Sequence, residues 1–229
     1  MKSLEAIVLR KTLYGEADYI VTFFTKELGK ISGIARNAKN SKKRYGGRLE
    51  FFNHLKVDIT FNENKFNLIG DIELKKSYNC IIEKLETFMI ASFVMEHIDL
   101  LTTENEPADE LFNETLNTLK ALENHENILS KLLRFQINFL NIYGYKPDLD
   151  SENESIGSFS LSDGGIVDSS KKADNKNIYK FYLDIINNPE SMDIFLAKVV
   201  NNIRVLTKYM EYHTGKQFKT SKFLEGLNL

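Results

Sequence analysis

The sequence predicts an α+β protein: a five-stranded barrel followed by an all-helical region that carries an irregular insertion. Three observations support this. Apolar residues alternate with period two up to about residue 75, the period lengthens to about 3.6 after Cys80, and the charge changes sign at the same place. Of the 229 residues, 42% are apolar and 16 are Phe, enough to bury a core, while 12 Gly and 3 Pro exclude a collagen-like or linker-like chain.

The strands come first. In His54-Leu-Lys-Val-Asp-Ile-Thr-Phe61, Leu55, Val57, Ile59 and Phe61 share one face and Lys56, Asp58 and Thr60 the other. Asn62 to Lys65 supplies turn residues before Phe66 to Leu74, which predicts a hairpin. Upstream, Leu4 to Lys11, Tyr19 to Lys26 and Lys30 to Arg36 are rich in Ile, Val, Phe and Thr, and Gly15 and Gly29 punctuate them. Five short strands favour closure, because closure removes exposed edges. An oligonucleotide-binding (OB) barrel and a small SH3-like barrel both fit this pattern.

The helices follow. One stripe runs through Ile81, Ile82, Leu85, Phe88, Met89, Phe93 and Leu100, and a second through Leu111, Phe112, Leu116, Leu119 and Leu122 after Pro107. A third holds Ile128, Leu129, Leu132, Leu133, Gln136, Phe139 and Leu140 and is expected to stop near Gly144. Residues Ile178 to Ile186 and Ser191 to Tyr212 repeat the pattern. Between them, residues 146–177 are polar and read as an irregular insertion. The expected domains are residues 1–79 and residues 80–229.

The net charge of −2 hides an asymmetry. Up to Cys80 there are 15 basic and 9 acidic side chains, a net of +6, and beyond it the balance is −8. Residues 36–48 hold Arg36, Lys39, Lys42, Lys43, Arg44 and Arg48 and no acid. Such a run repels itself unless an anion compensates it.

Catalytic signatures are missing from the sequence. It has no phosphate-cradling glycine loop, no nucleophile elbow and no paired-histidine helix, and His54, His97, His125 and His213 are scattered. Cys80 is the sole cysteine and is expected to be a small buried hydrophobe; it permits no internal disulfide, which fits a reducing compartment. The first residues do not resemble a signal peptide and no stretch is long and apolar enough to cross a bilayer, so a soluble cytoplasmic protein is expected. No enzyme and no cofactor are expected.

Single-stranded nucleic acid is gripped by cations that track phosphates and by aromatic rings on which bases stack. The basic part supplies both, with Tyr45 inside the cationic run as the expected stacking ring and Phe23 and Phe61 expected in the barrel core. Six cations on phosphates would give a log–log salt slope of about −4 for single strands.

Several segments, in order along the chain, resemble the RecO family of bacterial recombination and repair proteins. They are Tyr14-Gly-Glu-Ala-Asp18, Phe24-Thr-Lys-Glu-Leu-Gly-Lys30, Ala35-Arg36 with its basic run, Leu132-Leu-Arg-Phe135, Gly144-Tyr-Lys-Pro-Asp-Leu-Asp150, Phe159-Ser with Gly164-Gly165, and Thr214 to Leu224. The resemblance implies an OB-fold barrel and a helical domain. It also implies a nucleoid-associated monomer that binds single- and double-stranded DNA, anneals complementary strands, works with RecR and helps load RecA onto DNA coated by single-strand-binding protein (SSB). Carried over residue by residue, it assigns phosphate contacts to Lys30, Arg36, Lys39, Lys42, Lys43, Arg44 and Arg48, and the SSB tail to Arg134 supported by Lys131. Many members carry two Cys-x-x-Cys pairs that bind zinc. Here those stretches read Ser151-Glu-Asn-Glu-Ser155 and Asp168-Ser-Ser-Lys171, so residues 146–177 are expected to be a degenerate zinc-finger-like insertion without metal. Two other readings compete: a helical adaptor whose barrel binds RNA or a protein, and a carboxylate-based nuclease.

Overall fold

The computed structural model describes residues 1–63, 65–125, 127–145, 157–160, 165–168 and 196–226. The expected helix over 178–186 lies outside the described residues. The chain divides into two compact units, Met1–His125 and Glu126–Leu229. The change of period near residue 79 therefore falls inside the first unit.

In the first unit, strands β1 (Lys2–Tyr14), β2 (Asp18–Thr25), β3 (Gly29–Ala35), β4 (His54–Thr60) and β5 (Asn67–Lys76) close into a barrel in the order β1-β2-β3-β5-β4. Neighbours are antiparallel except β3 and β5, which pair parallel through Gly33 with Asn67 and Ile34 with Leu68. This is the OB fold. Its interior is filled from every strand by alternating residues, among them Leu4, Ala6, Val8, Val21, Phe23, Ile31, Leu55, Val57, Ile59 and Ile69. In β1 the register against β2 slips between Val8 and Arg10, an extra residue that bends the strand. Ile7 and Phe24 lie outside the barrel core yet are fully buried. A helix covers Phe24, which meets Phe112 at a ring-centroid distance of 5.7 Å.

A short helix α1 (Lys42–Tyr45) sits on the crossover from β3 to β4, and α2 (Asn79–Glu83), α3 (Leu85–Leu101) and α4 (Asp109–Glu123) follow the barrel. Gly29 turns β2 into β3 at φ +57, and a Cβ there would collide with the Glu106 carbonyl, so two independent constraints demand glycine. Around it Lys30 N–H donates to the Thr103 carbonyl at 3.4 Å and Ala108 N–H to the Lys26 carbonyl at 3.1 Å, tying the segment before α4 to the barrel.

In the second unit, α5 (Ile128–Ile142) packs on α6 (Leu196–Thr214), and Gln136 Nε2 donates across them to Thr207 Oγ1 at 3.0 Å. α5 ends before Gly144 at φ +72, as its sequence requires. A 3₁₀ turn (Thr220–Lys222) and α7 (Phe223–Gly226) close the described chain.

Four differences from expectation have physical reasons. The insertion contains an antiparallel hairpin, β6 (Gly157–Ser160) with β7 (Gly165–Asp168), whose four-residue strands are too short to announce themselves by alternation. Phe61 lies one residue past the end of β4, so the alternation does not bind it; it is exposed, with the Lys2 ammonium 6.0 Å from its ring centroid. On α3 the buried face centres on Ile90, Phe93, Val94, His97 and Ile98, whereas Leu85 at its start, and Ile82 on α2, are exposed. Cys80 is exposed, because the short α2 turns its neighbour Ile81 inward and leaves the thiol outside.

Candidate nucleic-acid interface

The cationic run is an ordered crossover rather than a free loop. Asp18, the first residue of β2, pins its start: Oδ1 accepts from Asn37 N–H at 2.7 Å and Oδ2 from Arg36 Nη1 at 3.0 Å. Lys39 N–H donates to the Ala17 carbonyl at 3.0 Å. Farther along, Asn53 Nδ2 donates to the carbonyls of Gly47 and Arg48, both at 3.0 Å.

Apolar anchors hold the inner side. Ala38, Tyr45 and Leu49 belong to the barrel core. Tyr45 is 3% exposed and its hydroxyl donates to the Ile69 carbonyl at 2.9 Å. Burial raises the phenol's pKa above its ordinary value. Its ring therefore plugs the barrel and offers no face to a base, which corrects the stacking assignment. With Tyr45 turned inward, Lys42, Lys43 and Arg44 of α1 are turned outward and exposed.

The basic residues separate into groups by what they touch. Lys39, Lys42 and Lys43 are exposed and have no carboxylate partner among the described residues. Arg36 is 66% exposed on its side chain, with one nitrogen bonded to Asp18 and the others open. Arg44 lies over the Tyr45 ring at 5.2 Å and pairs with Asp71 at 3.3 Å. Arg48 is structural: its Nη1 donates to the Lys43 and Arg44 carbonyls at 2.8 and 2.6 Å, capping α1 where helical carbonyls lack partners. Lys30 is only 14% exposed on its side chain, with its ammonium on the backbone carbonyl and side chain of Asp99. A phosphate contact there would have to break both, so Lys30 leaves the set.

Lys39, Lys42, Tyr45, Gly46 and Lys11, the last paired with Glu50 at 2.8 Å, line a depression of about 150 Å³. This is a shallow cationic surface suited to phosphates, which need charge and not depth.

Lys131 and Arg134 are one turn apart on α5, both half-buried. Leu132, Leu133 and Phe135 around them are buried, so the two cations sit at the margin of the helix's apolar face. Among the described residues no group of three His, Cys, Asp or Glu side chains is placed to hold a metal. A four-thiolate zinc site does not fit a chain with one cysteine. No helix among the described residues is long and apolar enough to cross a membrane.

Comparison with known proteins adds a second line. The family described as "Recombination protein O N terminal" matches residues 1–78, and "Recombination protein O C terminal" matches residues 82–182. The chain is 28% identical over 240 residues to the DNA repair protein RecO of Thermoanaerobacter sp. (strain X514), covering 97% of this chain and 96% of that one. It is 31% identical over 172 residues to the DNA repair protein RecO of Pelobacter propionicus, covering 72% and 70%. It is 29% identical over 242 residues to that of Caldanaerobacter subterraneus subsp. tengcongensis, covering 98% and 97%.

Proposed function

This chain belongs to the RecO family of DNA repair proteins, and from that premise we propose that it is a non-catalytic mediator that anneals complementary DNA strands through its barrel. One observation carries the proposal. Lys39, Lys42 and Lys43 stand exposed without carboxylate partners among the described residues, on a crossover held rigid by Tyr45, Asn53 and Arg48. Two DNA strands repel each other through their phosphates, and a fixed set of cations that neutralises both lowers the barrier to pairing. Because phosphate contacts carry no base information, the binding is sequence-tolerant and extends to duplex DNA.

The barrel, residues 1–79, is the DNA-binding part of this reading, and the helical residues 80–229 dock partners. RecR is one, and the acidic tail of SSB is another, received by Arg134 with Lys131 beside it. Drawing SSB away at a strand the barrel already holds is how the protein would help load RecA. A basic pair at the edge of an apolar helix face suits a peptide that ends in acids and an aromatic ring.

A salt titration of a fluorescent oligo-dT tests the DNA part. With Arg36 and the three lysines on phosphates, the log–log slope is expected near −3, and Lys39→Gln, Lys42→Gln and Lys43→Gln together bring it to about −1 and slow annealing. An unchanged slope retires the assignment, and a barrel indifferent to DNA at every salt concentration returns the adaptor reading. For the partner part, Arg134→Ala should weaken a fluorescent SSB tail peptide about ten-fold, and equal binding retires it.

A further inference from the structure

The loops β1–β2 and β4–β5 approach each other at one end of the barrel, and two aromatic side chains meet there. Tyr14, the last residue of β1, and Phe66, just before β5, stand edge to face with ring centroids 5.6 Å apart and planes at 69°. They are 45% and 47% exposed. An edge-to-face pair leaves ring faces that the partner ring does not cover.

Phe66 is held in place by its backbone. Asn62 Nδ2 donates to the Phe66 carbonyl at 3.0 Å, Asn62 N–H donates to Asn67 Oδ1 at 3.2 Å, and Asn67 Nδ2 donates to the Ser32 carbonyl on β3 at 3.0 Å. These bonds anchor the Phe66 backbone to the sheet, and the ring itself rests on Tyr14, so less freedom is lost when it is used. Phe66 and exposed Leu68 line an open groove of about 950 Å³ with Arg36 and Lys65 as cations and Glu63 as the one acid. Lys65 has no carboxylate partner among the described residues, and Arg36 bonds Asp18 through one nitrogen only. The groove thus combines apolar ring surface with a net positive rim, the two features that an unpaired nucleotide requires.

The geometry points to a base-stacking subsite: an unpaired base of single-stranded DNA lies against the Phe66–Tyr14 pair while Arg36 and Lys65 take the flanking phosphates. The inference rests on the DNA-binding reading above and deepens it, because it separates a base contact from the phosphate contacts of Lys39, Lys42 and Lys43. Duplex DNA, whose bases are already stacked on each other, does not use it.

Three probes test it on the full-length chain: oligo-dT, an abasic oligonucleotide of equal length and charge, and a duplex. Phe66→Leu is expected to weaken oligo-dT about ten-fold with no change of salt slope, and to leave the abasic strand and the duplex unaffected. The chain contains no Trp, so Phe66→Trp introduces a single reporter whose fluorescence should be quenched by oligo-dT and not by the abasic strand. Unchanged oligo-dT affinity in Phe66→Leu, an equal loss on the abasic strand, or a fluorescence of Phe66→Trp that ignores oligo-dT overturns the subsite. If the lysine variant still lowers the salt slope in that case, the DNA reading stands and this inference alone falls; if the wild-type chain binds none of the three probes, the DNA reading falls first.

Discussion

Replacing the Tyr45 hydroxyl by hydrogen asks what that ring is for. The hydroxyl is buried against the Ile69 carbonyl, so Tyr45→Phe should lower unfolding stability by about 1 kcal/mol in urea titrations, where an exposed stacking tyrosine would show no loss. His97 gives a second residue-scale prediction. It is fully buried, and burial pushes its imidazole down to about 4 although its ring N–H bonds the Phe93 carbonyl at 2.7 Å. The unfolded chain titrates near the ordinary value of about 6.5, so between these values the unfolded state binds more protons. Stability is full above about pH 6.5 and falls as pH drops toward 4, by up to about 3 kcal/mol, and His97→Leu should flatten that window in urea midpoints measured at pH 4.5 and 7. Single residues were the least legible part of this sequence. Arg44-Tyr45-Gly46 has the same composition whether its ring faces a base or a barrel, and only the contact with Ile69, on a strand that follows much later in the chain, decides it. Lys30 was obscured likewise, because the Asp99 that engages it lies far downstream on α3.

At the scale of elements, periodicity was a good guide wherever one face of an element met a core and the other met water. β4 shows this cleanly, with Leu55, Val57 and Ile59 fully buried between half-exposed or exposed neighbours, and so does α5, whose stripe and glycine stop are both observed. It failed on α3, where burial nearly surrounds the helix and an apolar stripe cannot report one direction. The candidate site was legible as charge and illegible as architecture. The lysines could be counted, whereas the pinning by Asp18, Asn53 and Arg48 depends on pairings that the local pattern does not encode. The β2–β3 turn is the element most sensitive to a single change. Gly29→Ala combines a left-handed backbone with a collision against the Glu106 carbonyl, and should cost about 2 to 3 kcal/mol in thermal unfolding while leaving the salt slope of DNA binding unaltered.

For the molecule as a whole, the acid excess has an address. Residues 81–125 hold 10 acidic and 2 basic side chains, so the −8 beyond Cys80 lies in the helices that share the first unit with the +6 barrel. Barrel cations that face those helices are paired: Arg10 and Lys30 with Asp99, Lys26 with Asp109, and Lys76 with Glu123. Lys39, Lys42 and Lys43, without such partners among the described residues, lie instead on the crossover after β3, which leaves a first unit that is electropositive at the crossover and electronegative at its helices. The same helices bury Phe24, which predicts that a fragment of residues 1–125 is monomeric in size-exclusion chromatography while one of residues 1–79 aggregates. The barrel itself is a cask with one narrow stave joint. Seven residue pairs join β2 to β3, but two join β3 to β5, and that joint adjoins the groove rimmed by Arg36 and Leu68. Opening is expected to start at this joint, so the amides that bridge β3 and β5 should trade their protons with solvent before those between β2 and β3, and a strand bound over the groove, as proposed above, would act as the hoop that keeps the cask shut.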